Sequence, residues 1–185
     1  GQGNAGDFRY EDVVAFPFGS GLSYTTFAYS NFQIKDCGNT IVAEVDVTNT
    51  GSVDGKHTVQ IYFQSPYTQY DRDNGVEKAS VEICGFDKKM IEAGKTEHYV
   101  IEIRKDDLTS YDSNLARTYI LDAGDYYFTV GTDAHNAINN ILAAKGADSA
   151  RMSGNGNPAL TAVWSVDTLD TTTYAVSSYT GEAIT

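Results

Sequence analysis

Residues 41–63, IVAEVDVTNTGSVDGKHTVQIYF, constrain the fold more than any other stretch of the chain. Ile41, Ala43, Val45 and Val47 alternate with Val42, Glu44, Asp46 and Thr48, and Thr58, Gln60 and Tyr62 alternate with Val59, Ile61 and Phe63. A period of two places successive side chains on opposite faces of a strand, so each run predicts a strand with one buried face. Residues 49–55 join the runs and are rich in Gly and Asn. They form either the turn of an antiparallel pair or, being longer than a two-residue turn, a crossing between two sheets of a sandwich.

The rest of the chain fits a β-rich reading. Residues 29–35 alternate and predict a first strand, closed by a turn at 36–39. Residues 79–87 predict a short strand with Gly85 as a bulge, and 96–103 a clean alternating strand after a turn at 91–94. Leu108 and Tyr111 read as a plug for one end of a sandwich, the tyrosine hydroxyl bonding to nearby backbone. Residues 117–121 and 125–130 read as a hairpin around Ala123 and Gly124. Thirteen tyrosines and only three prolines suit such a fold. The expected class is all-β: an antiparallel β-sandwich of immunoglobulin or fibronectin type III kind.

The pattern changes after residue 131. Ala134, Ala137, Ile138, Ile141 and Leu142 recur at helical spacing, with Thr132 or Asp133 as N-cap and Gly146 as stop. One added C-terminal helix is expected, then a Gly- and Asn-rich linker at 151–158, a candidate strand at 160–166 around Trp164, and an extended polar tail. The expected organisation is a linker at 1–15, the sandwich at 16–131, and a helix plus connector at 132–185. The polar opening and the tail lead to the expectation that the chain was cut from a longer polypeptide.

Charge and composition exclude several roles. The net charge of −12 argues against nucleic acid, whose phosphates require a basic face, and against an anionic membrane surface. No apolar run is long enough to span a bilayer. Cys37 and Cys84 lie far apart outside any CxxC pattern and read as two buried free thiols, with a disulfide as the alternative. Three scattered histidines and two cysteines suggest no metal constellation, and no cofactor motif is present. Lys56-His57, His98 and His135 read as strand-face or helix-end residues.

Residues 65–78, SPYTQYDRDNGVEK, are polar, aromatic and long for a loop. Asp71, Asp73 and Asn74 match half of a calcium loop, but Gly75 falls where a third ligand belongs. A turn around 73–75 is the structural reading. The functional one is a segment at the rim of a ligand site, with Tyr67 and Tyr70 to stack on a sugar ring and Asp71 and Asp73 beside them.

Residues 16–27, FPFGSGLSYTTF, resemble the opening of the fibronectin type III-like domain of family 3 glycoside hydrolases, near YPFGxGLSYTxF. Further matching pieces follow in the family's order: VTNTG at 47–51, Gly55 with VQIY at 59–62, and VEICGF at 81–86. Then come Ala93-Gly94, Asp107-Leu108 with Tyr111-Asp112, and AGDY at 123–126 with Val130-Gly131. Phe16 replaces the usual Tyr, and Ser20 a common aromatic or His. The end of the chain resembles the connector of bacterial β-glucosidase-like members with permuted domain order.

The resemblance implies a non-catalytic accessory domain. In that family the nucleophile Asp lies in a TIM barrel and the acid/base Glu usually in an α/β sandwich domain, and neither motif occurs here. No catalytic residue is therefore expected in this chain. The implied partners are the α/β sandwich and TIM barrel of the same polypeptide, with an oligosaccharide as the small-molecule candidate. Phe16, Phe18, Ile138, Ile141, Leu142 and Trp164 are the candidates for interdomain packing. A free-standing carbohydrate-binding module is the alternative, with Tyr67, Tyr70 and Trp164 as its exposed aromatics.

Overall fold

The structure, a computed structural model, describes residues 14–18, 23–147 and 154–175. Ten strands and two α-helices follow in order: β1 (Val14–Phe18), β2 (Ser23–Asp36), β3 (Thr40–Asn49), β4 (Gly55–Gln64), α1 (Gln69–Asn74), β5 (Glu82–Ile91), β6 (Thr96–Arg104), β7 (Ser110–Asp112), β8 (Thr118–Ile120), β9 (Gly124–Gly131), α2 (Ala134–Ala144) and β10 (Thr161–Val166). Two four-stranded sheets, ordered β1-β2-β3-β6 and β10-β9-β4-β5, make the sandwich, and β7-β8 form a small separate ribbon. All pairings are antiparallel.

The alternation in 41–63 survives as two strands in different sheets. Ile41, Ala43, Val45 and Val47 of β3 and Val59, Ile61 and Phe63 of β4 all face the core. The crossing between them is held by Asn49, which is fully buried. Its amide donates to the carbonyls of Val53 at 2.8 Å and Ile91 at 2.9 Å, and its oxygen accepts from Thr25 Oγ1 at 2.5 Å and the Gly51 N–H at 3.0 Å. Gly51 permits this approach, since a Cβ there would lie 2.1 Å from Thr25 Oγ1.

Between the sheets lie Phe27, Tyr99, Tyr126, Phe128, Ile91, Ile103 and Leu108, each at most 1 % exposed. Burying one large apolar side chain contributes about 1.5–3 kcal/mol, so this layer dominates the favourable side of folding. His57 belongs to the same layer. Its ring stacks on Phe27 at 4.5 Å between centroids and its Nε2 meets Tyr29 Oη at 2.7 Å. Burial pulls its pKa down to about 4, so the imidazole is neutral at physiological pH.

Several expectations change. Pro17 sits in β1, an edge strand of its sheet, where proline is tolerated. The predicted hairpin at 117–130 does not form: β8 pairs with β7, whereas β9 crosses to the other sheet between β4 and β10. Leu108 is buried as expected; Tyr111 is 39 % exposed, though its hydroxyl does bond to nearby backbone, donating to the Arg117 carbonyl at 3.4 Å. The tyrosine that locks this corner is Tyr126, at the start of β9, whose hydroxyl donates to the Asp122 carbonyl at 2.9 Å. Cys37 and Cys84 are free; Cys84 is half-buried and Cys37 is exposed rather than buried.

The candidate strand around Trp164 forms as β10, and it joins the sandwich. β10 pairs along β9 from Thr161↔Thr129 to Val166↔Gly124, and Asp170 bridges to Leu121. α2, with Asp133 as N-cap, lies on β9. Asn140 of the helix donates to Thr129 Oγ1 and the Val130 carbonyl, both at 3.1 Å, and accepts from the Asn157 N–H at 2.8 Å. Helix and strand thus share one buried polar network, and an amide that satisfies several buried groups fixes the helix in one position.

Candidate functional site

The rim candidates lie on residues 65–78, which fold as a short helix rather than the expected turn. Thr68 caps α1: its hydroxyl accepts from the Asp71 N–H at 3.2 Å, and Asp71 Oδ2 accepts from the Thr68 N–H at 2.9 Å. This reciprocal pair satisfies two donors that a helix start leaves open. Gly75, at φ 65°, closes the helix in the left-handed region.

Beneath α1 is a buried charge cluster. Lys78 Nζ lies 3.2 Å from Asp71 Oδ2, contacts Asp122 Oδ2, and donates to the Pro66 carbonyl at 2.8 Å. The side chains are 5 %, 0 % and 1 % exposed for Lys78, Asp71 and Asp122. Thr68 Oγ1 donates to Asp122 Oδ1 at 3.2 Å. Burial pushes the Asp122 carboxyl up and Asp71 adds to it, while Lys78 pulls the other way. Both ends of the loop are therefore tied to the start of β9 through one ammonium.

A second tie joins the loop to the β7-β8 ribbon. Tyr70 Oη donates to Asp112 Oδ2 at 2.5 Å, and Asn114 Nδ2 donates to the Asn74 carbonyl at 2.6 Å. Burial raises the Asp112 carboxyl, but the Tyr70 hydroxyl and the N–H groups of Ala116, Leu115 and Asn114 outweigh it and hold the pKa down to about 2. Burial and the Asp112 carboxylate push the Tyr70 phenol up to about 12.

The four rim candidates thus separate. Tyr67 is 52 % exposed, with the Arg72 guanidinium 5.2 Å from its ring centroid. It borders an open depression of about 750 Å³, with Gly75, Val76, Glu77, Lys78 and Ala79. Asp73 is exposed and accepts from Gln69 Nε2 at 2.8 Å. Tyr70 is half-buried with its hydroxyl committed to Asp112. Asp71 is fully buried and serves the loop itself, so it has no surface to offer a substrate. Sequence reasoning missed Asp112 and Asp122 because Tyr70 and Lys78 lie 42 and 44 residues from them, and it passed over Lys78 although Asp71 shares its loop, since no periodic pattern marks that pair.

The packing candidates also separate. Ile141 is fully buried on this chain's own sandwich, so it is not an interdomain contact; Ile138 and Leu142 are half-buried. Trp164 packs on Tyr126 at 5.3 Å, carries Lys105 Nζ 4.8 Å from its ring, and donates to Asp36 Oδ2 at 3.2 Å. It closes the edge of the sandwich rather than standing free. Phe16 and Phe18 pair with Thr25 and Ser23 in β1, and their side chains lie outside the described residues. Among the described residues no three His, Cys, Asp or Glu side chains form a group that could hold a metal ion.

Known proteins place this architecture. Residues 57–134 match the family described as fibronectin type III-like domain. They are a fibronectin type III-like domain. A β-glucosidase of Ruminococcus albus is 34 % identical over 132 residues, covering 69 % of this chain and 13 % of its own length. Among solved structures, β-glucosidase 3B of Thermotoga neapolitana, in complex with α-D-glucose, superposes with a TM-score of 0.59 at 27 % identity, over 82 % of this chain and 17 % of that one. The GH3 β-glucosidase of Bifidobacterium adolescentis gives 0.57 at 27 % identity, over 82 % and 18 %. The chain thus spans under a fifth of each of these relatives. The sandwich here extends beyond the matched residues on both sides, from β1 to β10.

Proposed function

We propose that the chain is an accessory domain of a family 3 glycoside hydrolase of β-glucosidase or β-xylosidase type. In this reading it braces the α/β sandwich and TIM barrel of the same polypeptide and lends residues 65–78 to the rim of the substrate cleft. One observation carries the reading: most of this chain superposes on one small part of a β-glucosidase, 82 % of the first against 17 % of the second. The rim role is supported by a loop that two sets of buried polar bonds hold rigid while Tyr67 stays exposed. Positioned groups on a supported segment are what a binding rim requires.

The carbohydrate-module reading needs several exposed, coplanar aromatics, and of its three Tyr70 and Trp164 bond within the chain while only Tyr67 is exposed, with Arg72 over its ring. The test has two parts. Calorimetric titration of the chain with cello- and xylo-oligosaccharides at millimolar concentration is expected to give no saturable heat, and the chain alone no hydrolysis. In a parent β-glucosidase carrying this domain, Tyr67→Ala is expected to raise KM for oligosaccharides without lowering kcat. Saturable heat from the isolated chain, lost on Tyr67→Ala, would replace the accessory reading with the binding-module one. An unchanged KM would remove the rim role and leave the bracing role.

A further inference from the structure

A second concavity lies away from α1, where the sheet wall is interrupted. β4 pairs with β5 from Gly55 to Phe63, but with β9 only from Gln60 to Gln64. At Gly131 the chain leaves the sheet for α2, so residues 55–59 have no β9 partner on that side. The notch is a dent of about 330 Å³ lined by Tyr29, Lys56, His57, Thr58, Gln60, Lys88, Gly131 and Thr132. Its inner lining includes the buried Tyr29–His57 pair, and exposed lysines, threonines and Gln60 border it.

The charge of this dent runs against that of the molecule. The chain has 25 acidic residues for 13 basic ones, and yet two of its lysines share one small concavity. Neither Lys56 nor Lys88 makes an ion pair among the described residues. The register sets Lys56 opposite Met90 and Thr58 opposite Lys88, so the lysines are diagonal neighbours on one face, with side chains about 7–8 Å apart. Like charges so placed repel unless something negative sits between them. Asp133, next to Thr132, caps α2 with its carboxylate accepting from the Asn136 N–H at 2.7 Å, and its charge reaches Tyr62 beside Gln60, so two lysines face one carboxylate at this notch.

We propose that this notch is a binding site for a small oxyanion, a carboxylate or a sulfate or phosphate group, held between the ammonium groups of Lys56 and Lys88. The hydroxyls of Thr58 and Thr132 and the amide of Gln60 supply the neutral donors that complete such a site. The volume holds one sugar-sized acid, and the open mouth sets a weak, salt-sensitive affinity. The site is independent of the 65–78 loop and of the parent enzyme's chemistry.

The experiment is an NMR titration of the 185-residue chain at low ionic strength with glucuronate, sulfate and glucose as separate probes. Saturable shifts centred on the amides of Lys56, Thr58, Gln60 and Thr132 are expected with the anions and not with glucose. Lys56→Met and Lys88→Met should each weaken binding by about fivefold or more, and Lys95→Met, on an exposed turn elsewhere, should not. Glucuronate binding tighter than sulfate assigns the site to an acidic sugar, and the reverse to an inorganic anion. No saturable shift, equal response to glucose, or equal loss with Lys95→Met would overturn the site. A cooperative melt matching the parent chain's shows that each lysine variant is folded.

Discussion

Lys78→Met is the most informative perturbation of this domain. The Lys78 side chain is 5 % exposed and holds two carboxylate side chains that are 0 % and 1 % exposed. Methionine fills similar volume, so the change removes charge with little loss of packing. What remains is a pair of buried acids with no cation. Breaking a buried ion pair from one side costs about 3–5 kcal/mol, because the surviving charge is left without compensation. For a domain of this size that lowers Tm by roughly 6–20 °C.

The loss also carries a sign in pH. Burial and Asp71 already raise the Asp122 carboxyl above its ordinary value, and Lys78 is the group that opposes them. Without Lys78 the folded-state pKa rises further. A carboxyl whose folded pKa exceeds its unfolded one destabilises the fold as pH climbs past the unfolded value, since the unfolded chain ionises more readily. The variant should therefore lose least near pH 4 and most at pH 7 and above. Urea denaturation of both chains between pH 4.5 and 8 measures this directly. A loss under about 1 kcal/mol at pH 7.5, or a loss that shrinks as pH rises, would refute the buried-cluster argument. Lys78→Met with Asp122→Asn should recover part of the stability, since it removes one of the two stranded charges.

Three further outcomes follow from the same geometry. His98 sits between Asp46 at 2.6 Å and Glu44 at 2.8 Å on the outer face of β6 and β3, and these bonds raise its pKa. Its contribution is present below about pH 6.5 and is lost as pH rises through the folded value, so the stability gap between the parent chain and His98→Gln should narrow from pH 6 to 8.5; a constant gap would contradict it. Trp164→Ala should lower stability by about 2–4 kcal/mol in one cooperative urea transition reported equally by core and α2 probes, whereas a separate early transition would show that β10 is not integral to the sandwich. Gly156→Ala places a Cβ 1.9 Å from the Asn139 carbonyl oxygen and should cost about 1–3 kcal/mol, read by thermal melting; a neutral result would mean that α2 and residues 154–157 separate easily.

The sandwich was legible because its signal is local. Period two in 41–48 and 96–103 becomes burial of alternate residues in β3 and β6. The α2 boundary was legible for a similar reason, since a cap residue and a helical apolar stripe lie close together in sequence. Strand partners were not, because β8 and β9 are neighbours in sequence but belong to different ribbons, and nothing local distinguishes a hairpin from a crossing. Trp164 and Ile141 read as apolar anchors, for which the sequence names a neighbouring domain as partner. Within this chain Trp164 meets Tyr126 and Asp36 and Ile141 is buried under α2, contacts that no local pattern announces.

The rim loop shows the same limit in its chemistry. Asp71 and Asp73 look alike in sequence, yet one is fully buried and the other exposed. The difference comes from Lys78 and Asp122, which give Asp71 a buried cation and leave Asp73 to bond to Gln69 beside it. A sandwich of this size has core enough to fold without a charge cluster, and two carboxylates around one ammonium are a weak source of stability beside well-packed apolar groups. What the cluster does achieve is position: with Tyr70–Asp112 and Asn114–Asn74 it fixes α1 against β9 and the β7-β8 ribbon on two sides. Tyr67 is the large side chain left exposed on that fixed segment. That is why the proposed rim role falls to it, and why its substitution should be read in KM rather than in stability.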